Sequence, residues 1–226
     1  MMEEEQKNFF AYLLYFKRRG ASTWLGHLDM MRLFERALRR AGYQQRWSQG
    51  FNPRPEMVFA LPLAVGIDAD DEWLEIELVE EIDPEEIPSR LNPCLISGLE
   101  VHRARAIAPQ RKSLMSLVKE AVYLVEAEGV ADAFAQMMQT DGDLIVEREH
   151  KGKVQIHNIR EKILDWEKIN QNIFRFRCFA GSKENLRPDL VLNAVEKYTA
   201  FPKDLLDDAQ IVREKLIFEE RVKERF

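Results

Sequence analysis

Apolar and polar residues alternate along this chain with two different periods, and the switches between them mark its elements. AYLLYFK (11–17) is an apolar run of strand length. A helical pattern follows from about 27 to 41, where Leu28, Met31, Phe34, Leu38 and Ala41 fall at steps of three and four on one face. EMVFAL (56–61) and EWLEIELV (72–79) read as strands. DPEEIPSRL predicts a short helix, with Asp83 as N-cap and Pro84 at the first helical position. LEVHRARAI (99–107) alternates as a last strand. The order is β-α-β-β-α-β, the split βαβ or ferredoxin-like arrangement.

The periodicity weakens over APQRKSLMSLV (108–118), which begins with Pro109, Gln110 and Arg111 after a first residue, and the domain boundary belongs there. The second half then repeats the order. EAVYLVEA reads as a strand, VADAFAQMMQ as a helix, LIVERE and KVQIHNI as a hairpin around Lys151 and Gly152, and KILDWEKI as an additional strand. IFRFRCF puts Phe174, Phe176 and Cys178 on one face and Arg175 and Arg177 on the other. LRPDLVLNAVEKY is a helix with Pro188 near its start, and QIVREKLIFE closes as a strand. The expected fold is α+β: two tandem ferredoxin-like (βαββαβ) domains, residues 1–110 and residues 116–226, the second with extra strands.

Composition narrows the classes. The chain has 226 residues, 46% of them hydrophobic, enough to bury a core. No run approaches the ~18 consecutive apolar residues of a membrane span. MMEEEQKN at the amino terminus is acidic where a signal peptide is basic and then apolar, so a cytoplasmic protein is expected, without a membrane partner. Cys94 and Cys178 have no CxxC neighbour and read as core-filling thiols. Net charge is −6 and the pI ≈ 5.4, but the charge is uneven. Residues 17–55 hold nine Lys or Arg and two acids, a local +7; out of 33 basic and 39 acidic residues in all, that leaves 24 and 37 elsewhere, or −13. This asymmetry turns attention to GHLDMMRLFERALRRAGYQQRWSQGFNPRP (26–55).

At 100° per residue, Arg32, Arg36, Arg39 and Arg40 gather on the helix face opposite the apolar one. A solvated face accounts for many such runs. Four arginines without a lysine favour phosphate instead, because the planar guanidinium binds it bidentately. Gly26 stands at the N-cap without a side-chain acceptor, which leaves Asp29 the role of helix-end electrostatics. His27, on the apolar side of the first turn, reads either as a packed histidine or as a group titrating beside a basic groove. Gly42 suits a left-handed C′ position. Beyond it, Arg46 and Arg54 lie in an irregular loop that Pro53 and Pro55 stiffen. Trp24, Tyr43, Trp47 and Phe51 surround these cations, as stacking on single-stranded bases requires, although at least half of them read as core instead.

Other chemistries lack their motifs. There is no Walker or Rossmann glycine loop, and no cysteine triplet to ligate a radical SAM cluster. His27, His102, His150 and His157 never fall at close ligand spacing, and His150 and His157 read as hairpin residues, so neither a metal nor a cofactor is expected. GHLDMMRLFERALRRAG, followed by SQGFNPRP, FALPLAVGI and EWLEIEL, closely resembles the radical SAM-linked protein family, a domain of unknown function (number 2344). The likeness is strong over residues 10–80 and diffuse after that. Members usually carry serine where Gly26 stands, and are typically encoded beside, or fused to, cobalamin-binding radical SAM proteins of bacteria. What the resemblance implies is association with a radical SAM protein, the partner supplying the cluster. No catalytic residue is established by it. Tandem ferredoxin-like domains are also similar to the RNA-binding RAMP proteins of CRISPR systems, a likeness of fold alone. The glycine-rich loop of RAMP endonucleases is missing; Gly181 stands alone in its region. Two functions therefore remain in view: a non-catalytic accessory protein that binds RNA or another phosphate-bearing ligand, and an RNA-processing or RNA-modifying enzyme using His27.

Overall fold

A computed structural model describes residues 9–108, 113–150 and 152–219. The acidic amino terminus, Pro109–Arg111 of the expected linker and Lys151 of the expected hairpin turn lie outside the described residues. The fold is α+β, in two units: one runs to Val118 and includes Phe218 and Glu219, the other is Lys119–Ile217.

In the first unit, β1 (Phe10–Arg18), α1 (His27–Arg40), β2 (Met57–Phe59), β3 (Asp68–Leu78), α2 (Glu86–Leu91) and β4 (Leu99–Ile107) follow in order, then the single turn α3 (Leu114–Leu117). β1 lies between β4 and β3, and β2 pairs β3, every pair antiparallel. The register sets Tyr12 opposite Ile76 and Leu14 opposite Leu74. Period-two alternation then puts Tyr12, Leu14, Phe16, Leu74, Ile76 and Leu78 in the core beneath Met30, Phe34, Ala37 and Leu38 of α1 and Ile87 and Leu91 of α2. Phe34 is the pin: its ring meets Phe16 at 5.1 Å and Phe59 at 5.7 Å, both edge-on.

This packing keeps Phe34 and Leu38 of the expected face buried and Met31 and Ala41 against the core, and shifts only the edge of that face. Leu28 is 60% exposed, and Met31 and Ala41 are only partly buried, while Met30 and Ala37 are inside. Residues 30, 34, 37 and 41 also follow steps of three and four, and share Phe34 and Ala41 with the expected stripe. The short helix starts later than expected, at Glu86; Asp83 caps a preceding turn instead, its Oδ1 accepting from the Glu85 N–H at 3.0 Å.

The second unit contains β5 (Val118–Glu126) from its second residue on, α4 (Val130–Met138), β6 (Ile145–His150), β7 (Lys153–Asn158), β8 (Ile163–Lys168), β9 (Ile173–Phe179), α5 (Pro188–Thr199), α6 (Lys203–Asp207) and β10 (Gln210–Phe218) short of its last residue. Its sheet has the order β10-β5-β9-β8, and β6–β7 form a separate pair. Phe134 of α4 stacks on Phe174 at 4.1 Å, and Val191, Ala194 and Val195 of α5 complete the core. Here the strand expected as additional, KILDWEK, is integral: β8 pairs β9, with Trp166 opposite Phe176. The hairpin β6–β7 stands apart from that sheet. One of its faces carries Val154 and Ile156, 64% and 68% exposed, opposite Glu149 and Glu147.

Candidate nucleic-acid interface

The approach to α1 is built by a buried arginine. Arg18, 3% exposed at the end of β1, donates to the carbonyls of Ser22 (3.2 Å), Thr23 and Leu25 (2.8 Å). Those bonds hold the 3-10 turn Gly20–Trp24 and so the entry to the helix. The guanidinium that counted toward the basic surplus is therefore internal. Its neighbour Arg19 is engaged by Asp68 and Asp70.

On the outer face of α1, Arg32 pairs with Asp29 at 3.4 Å and Arg39 with Glu35 at 2.8 Å, each arginine side chain 65% exposed. Exposed pairs of this spacing contribute only about 0.3–0.5 kcal/mol, so a phosphate competes readily for either guanidinium. Arg40 donates to the carbonyl of Cys94 and has no carboxylate partner among the described residues. Arg36 is exposed and has no ion pair among the described residues. The stripe thus sets four arginines against two carboxylates.

Past Gly42, whose φ of +82° is the left-handed value expected after a helix, the chain makes a finger over residues 46–56. Arg46 N–H donates to the Glu77 carbonyl (2.9 Å), Glu56 N–H to the Arg46 carbonyl (2.9 Å), and Ser48 N–H to the Arg54 carbonyl (2.8 Å). Trp47 bridges Pro55, and Ser48 Oγ accepts from Arg54 N–H at 3.0 Å. Gln45 ties the root to α1 through the Glu35 carbonyl, 3.0 Å away. The tip needs Gly50, at φ +138°.

The expected ligands divide on this frame. Arg54 is exposed, without an ion pair among the described residues. Arg46 is committed to Glu77, its guanidinium 3.7 Å above the Phe9 ring, and serves the root of the finger instead of its surface. Phe51 is fully exposed at 105%, Trp47 is 43% exposed, and Trp24 is 72% exposed. Tyr43 is 4% exposed with Arg90 4.4 Å above its ring, so it offers no face to a base. His27 is half-buried, edge-on to Phe59 at 5.5 Å. Sequence reasoning missed two features here: Leu28 and Val65 (51% exposed) join Trp24 as exposed apolar residues, and Arg18 is internal. No spacing signals either, since each depends on which face its element buries.

Near the finger root, β3 carries a buried acid, Glu75, and a half-buried one, Glu77. Burial raises the Glu77 carboxyl while Arg46 lowers it, and burial plus the charge of Glu77 raises Glu75 to about 7. Elsewhere, burial pushes the Cys178 thiol up to about 12, and its Sγ donates to the Leu186 carbonyl at 3.7 Å, as befits a packing residue. His102 Nε2 lies 3.5 Å from Asp71. No group of three His, Cys, Asp or Glu able to hold a metal ion occurs among the described residues. No helix among them is long and apolar enough to cross a membrane. The cleft lined by Phe10, Tyr12, Ile82, Pro84 and Ile107 with Glu81 and Asp83, about 610 Å³, holds none of the expected ligands.

Comparison with curated proteins gives no match. A family model covers residues 11–188, spanning α1, the finger and most of the second unit, and on that ground the chain belongs to the bacterial family described as "Uncharacterized protein conserved in bacteria (DUF2344)".

Proposed function

We propose that this chain is a non-catalytic, cytoplasmic accessory protein of a cobalamin-binding radical SAM enzyme, and that it binds RNA or another phosphate-bearing ligand through the outer face of α1 and the finger. The radical SAM part rests on the resemblance carried by residues 26–42 and 48–55. The ligand part rests on one observation: Arg36, Arg40 and Arg54 are exposed and have no carboxylate partner among the described residues, in a chain whose net charge is −6. Exposed, unneutralised guanidinium groups are what phosphate contacts use.

The fold reading that goes with it is a ferredoxin-like domain in each unit. In its support, β4-β1-β3-β2 and β10-β5-β9-β8 are the same order once the hairpin β6–β7 is set aside. The rival, an RNA-processing or RNA-modifying enzyme using His27, has less support, because that imidazole lies against the Phe59 ring.

Filter binding of a single-stranded RNA oligomer over a salt series tests the ligand reading. Arg36→Glu combined with Arg40→Glu is expected to weaken binding at least about tenfold with helix content unchanged. Equal affinity of variant and parent would refute it. Co-purification from the bacterial host tests the accessory role, and recovery without a radical SAM protein would count against that part.

A further inference from the structure

A fully exposed phenylalanine at the end of a closed hairpin calls for an occupant. Phe51 gains nothing from its own fold, yet the backbone bonds at Arg46, Ser48 and Glu56 hold the finger that carries it. The finger's other exposed side chains belong together chemically. Trp47 is aromatic, Gln49 and Asn52 are exposed amides without a partner among the described residues, and Arg54 is a cation without one. Leu, Ile and Val do not occur between residues 46 and 56.

We infer that the finger is a stacking wedge for an unpaired base: the Phe51 ring takes the base face, Gln49 or Asn52 an edge, and Arg54 the adjoining phosphate. This rests on the reading of the ligand as a nucleic acid and narrows it to single strands, because a base within a duplex presents no free face. An aromatic ring offers every base a π-face, amides carry the paired donor and acceptor that base edges match, and a guanidinium suits phosphate. A lipid surface would favour aliphatic residues beside the aromatic ones, and the finger has none.

The test uses the full chain and a 12-nucleotide single-stranded RNA carrying one 2-aminopurine, alone and annealed to its complement. The parent protein is expected to bind the single strand about tenfold more tightly than the duplex and to change the 2-aminopurine emission as the base stacks. Phe51→Ala and Phe51→Leu are both expected to lose about tenfold in affinity and the emission change, while Phe51→Tyr keeps both. Because Phe51 packs against nothing, thermal unfolding of each variant should match the parent. Equal affinity of Phe51→Ala, or equal affinity for duplex and single strand, overturns the wedge. If Arg36→Glu combined with Arg40→Glu still weakens salt-dependent binding in that case, the basic-face reading survives without it; if no oligomer binds, both fall. Phe51-dependent binding to phosphatidylglycerol vesicles, with no RNA binding, would assign the finger to a membrane instead.

Discussion

Glu75 lies on β3 opposite Leu13 of β1 and Val58 of β2, with 8% of its surface exposed. The alternation of EWLEIELV marks it as an outward polar residue, and this is where single-residue reading stops, because the sheet face opposite the α1 core is covered as well. Burial and Glu77 raise its carboxyl to about 7, above the ordinary 4.5. Between those values the folded protein keeps a proton that the unfolded chain releases, so stability is full below about 4.5 and falls as pH rises through 7. Glu75→Gln removes the cost. Urea unfolding should find the variant more stable than the parent by roughly 2–3 kcal/mol at pH 8 and near equality at pH 4. Equal stability at both pH values would show that Glu75 is ionised without penalty. Arg18 and Tyr43 teach the same lesson from the other side. Both read as surface chemistry, and both are inside, since a residue type reports what a side chain can do and only its neighbours report where it is.

At the scale of elements, the existence of α1 is legible in its period, and so is most of its inner face. Phe34 and Leu38 are buried as the spacing predicts, while packing adds Met30 and Ala37 to the core and leaves Leu28 outside. The difference is measurable. Phe34→Ala should cost about 3–5 kcal/mol in denaturant unfolding, whereas Leu28→Ala, at an exposed position the sequence places in the core, should change stability by less than about 0.5 kcal/mol. The finger shows a further limit. Its turn residues are plain in SQGFNPRP, but the tie from Gln45 to α1 and the pairing of Arg46 with Glu77 span distant positions, so its direction belongs to the fold. Likewise, local alternation describes β6, β7 and β8 equally well. The partner strand β9 decides that β8 completes the sheet and the hairpin does not.

For the whole molecule the charge ledger matters most. Of the nine cations between residues 17 and 55, Arg18 is buried, Arg19 and Arg46 are held by acids from β3, Arg32 and Arg39 are paired within α1, and Lys17 is exposed on β1, outside α1 and the finger. If Arg36, Arg40 and Arg54 each meet one phosphate, the log–log salt slope for a single strand should be about −2, at roughly −0.7 per contact. A slope near −5 would mean that the internal pairs open as well, and a flat one that the stripe binds no phosphate. The sequence by itself determined the α+β order of elements, the extent of α1 and the uneven charge, because these depend on neighbours a few residues apart. Which arginines stay exposed, which aromatic rings are covered and which strands pair were decided only by the tertiary structure, because burial and ion pairing join residues that the chain holds far apart.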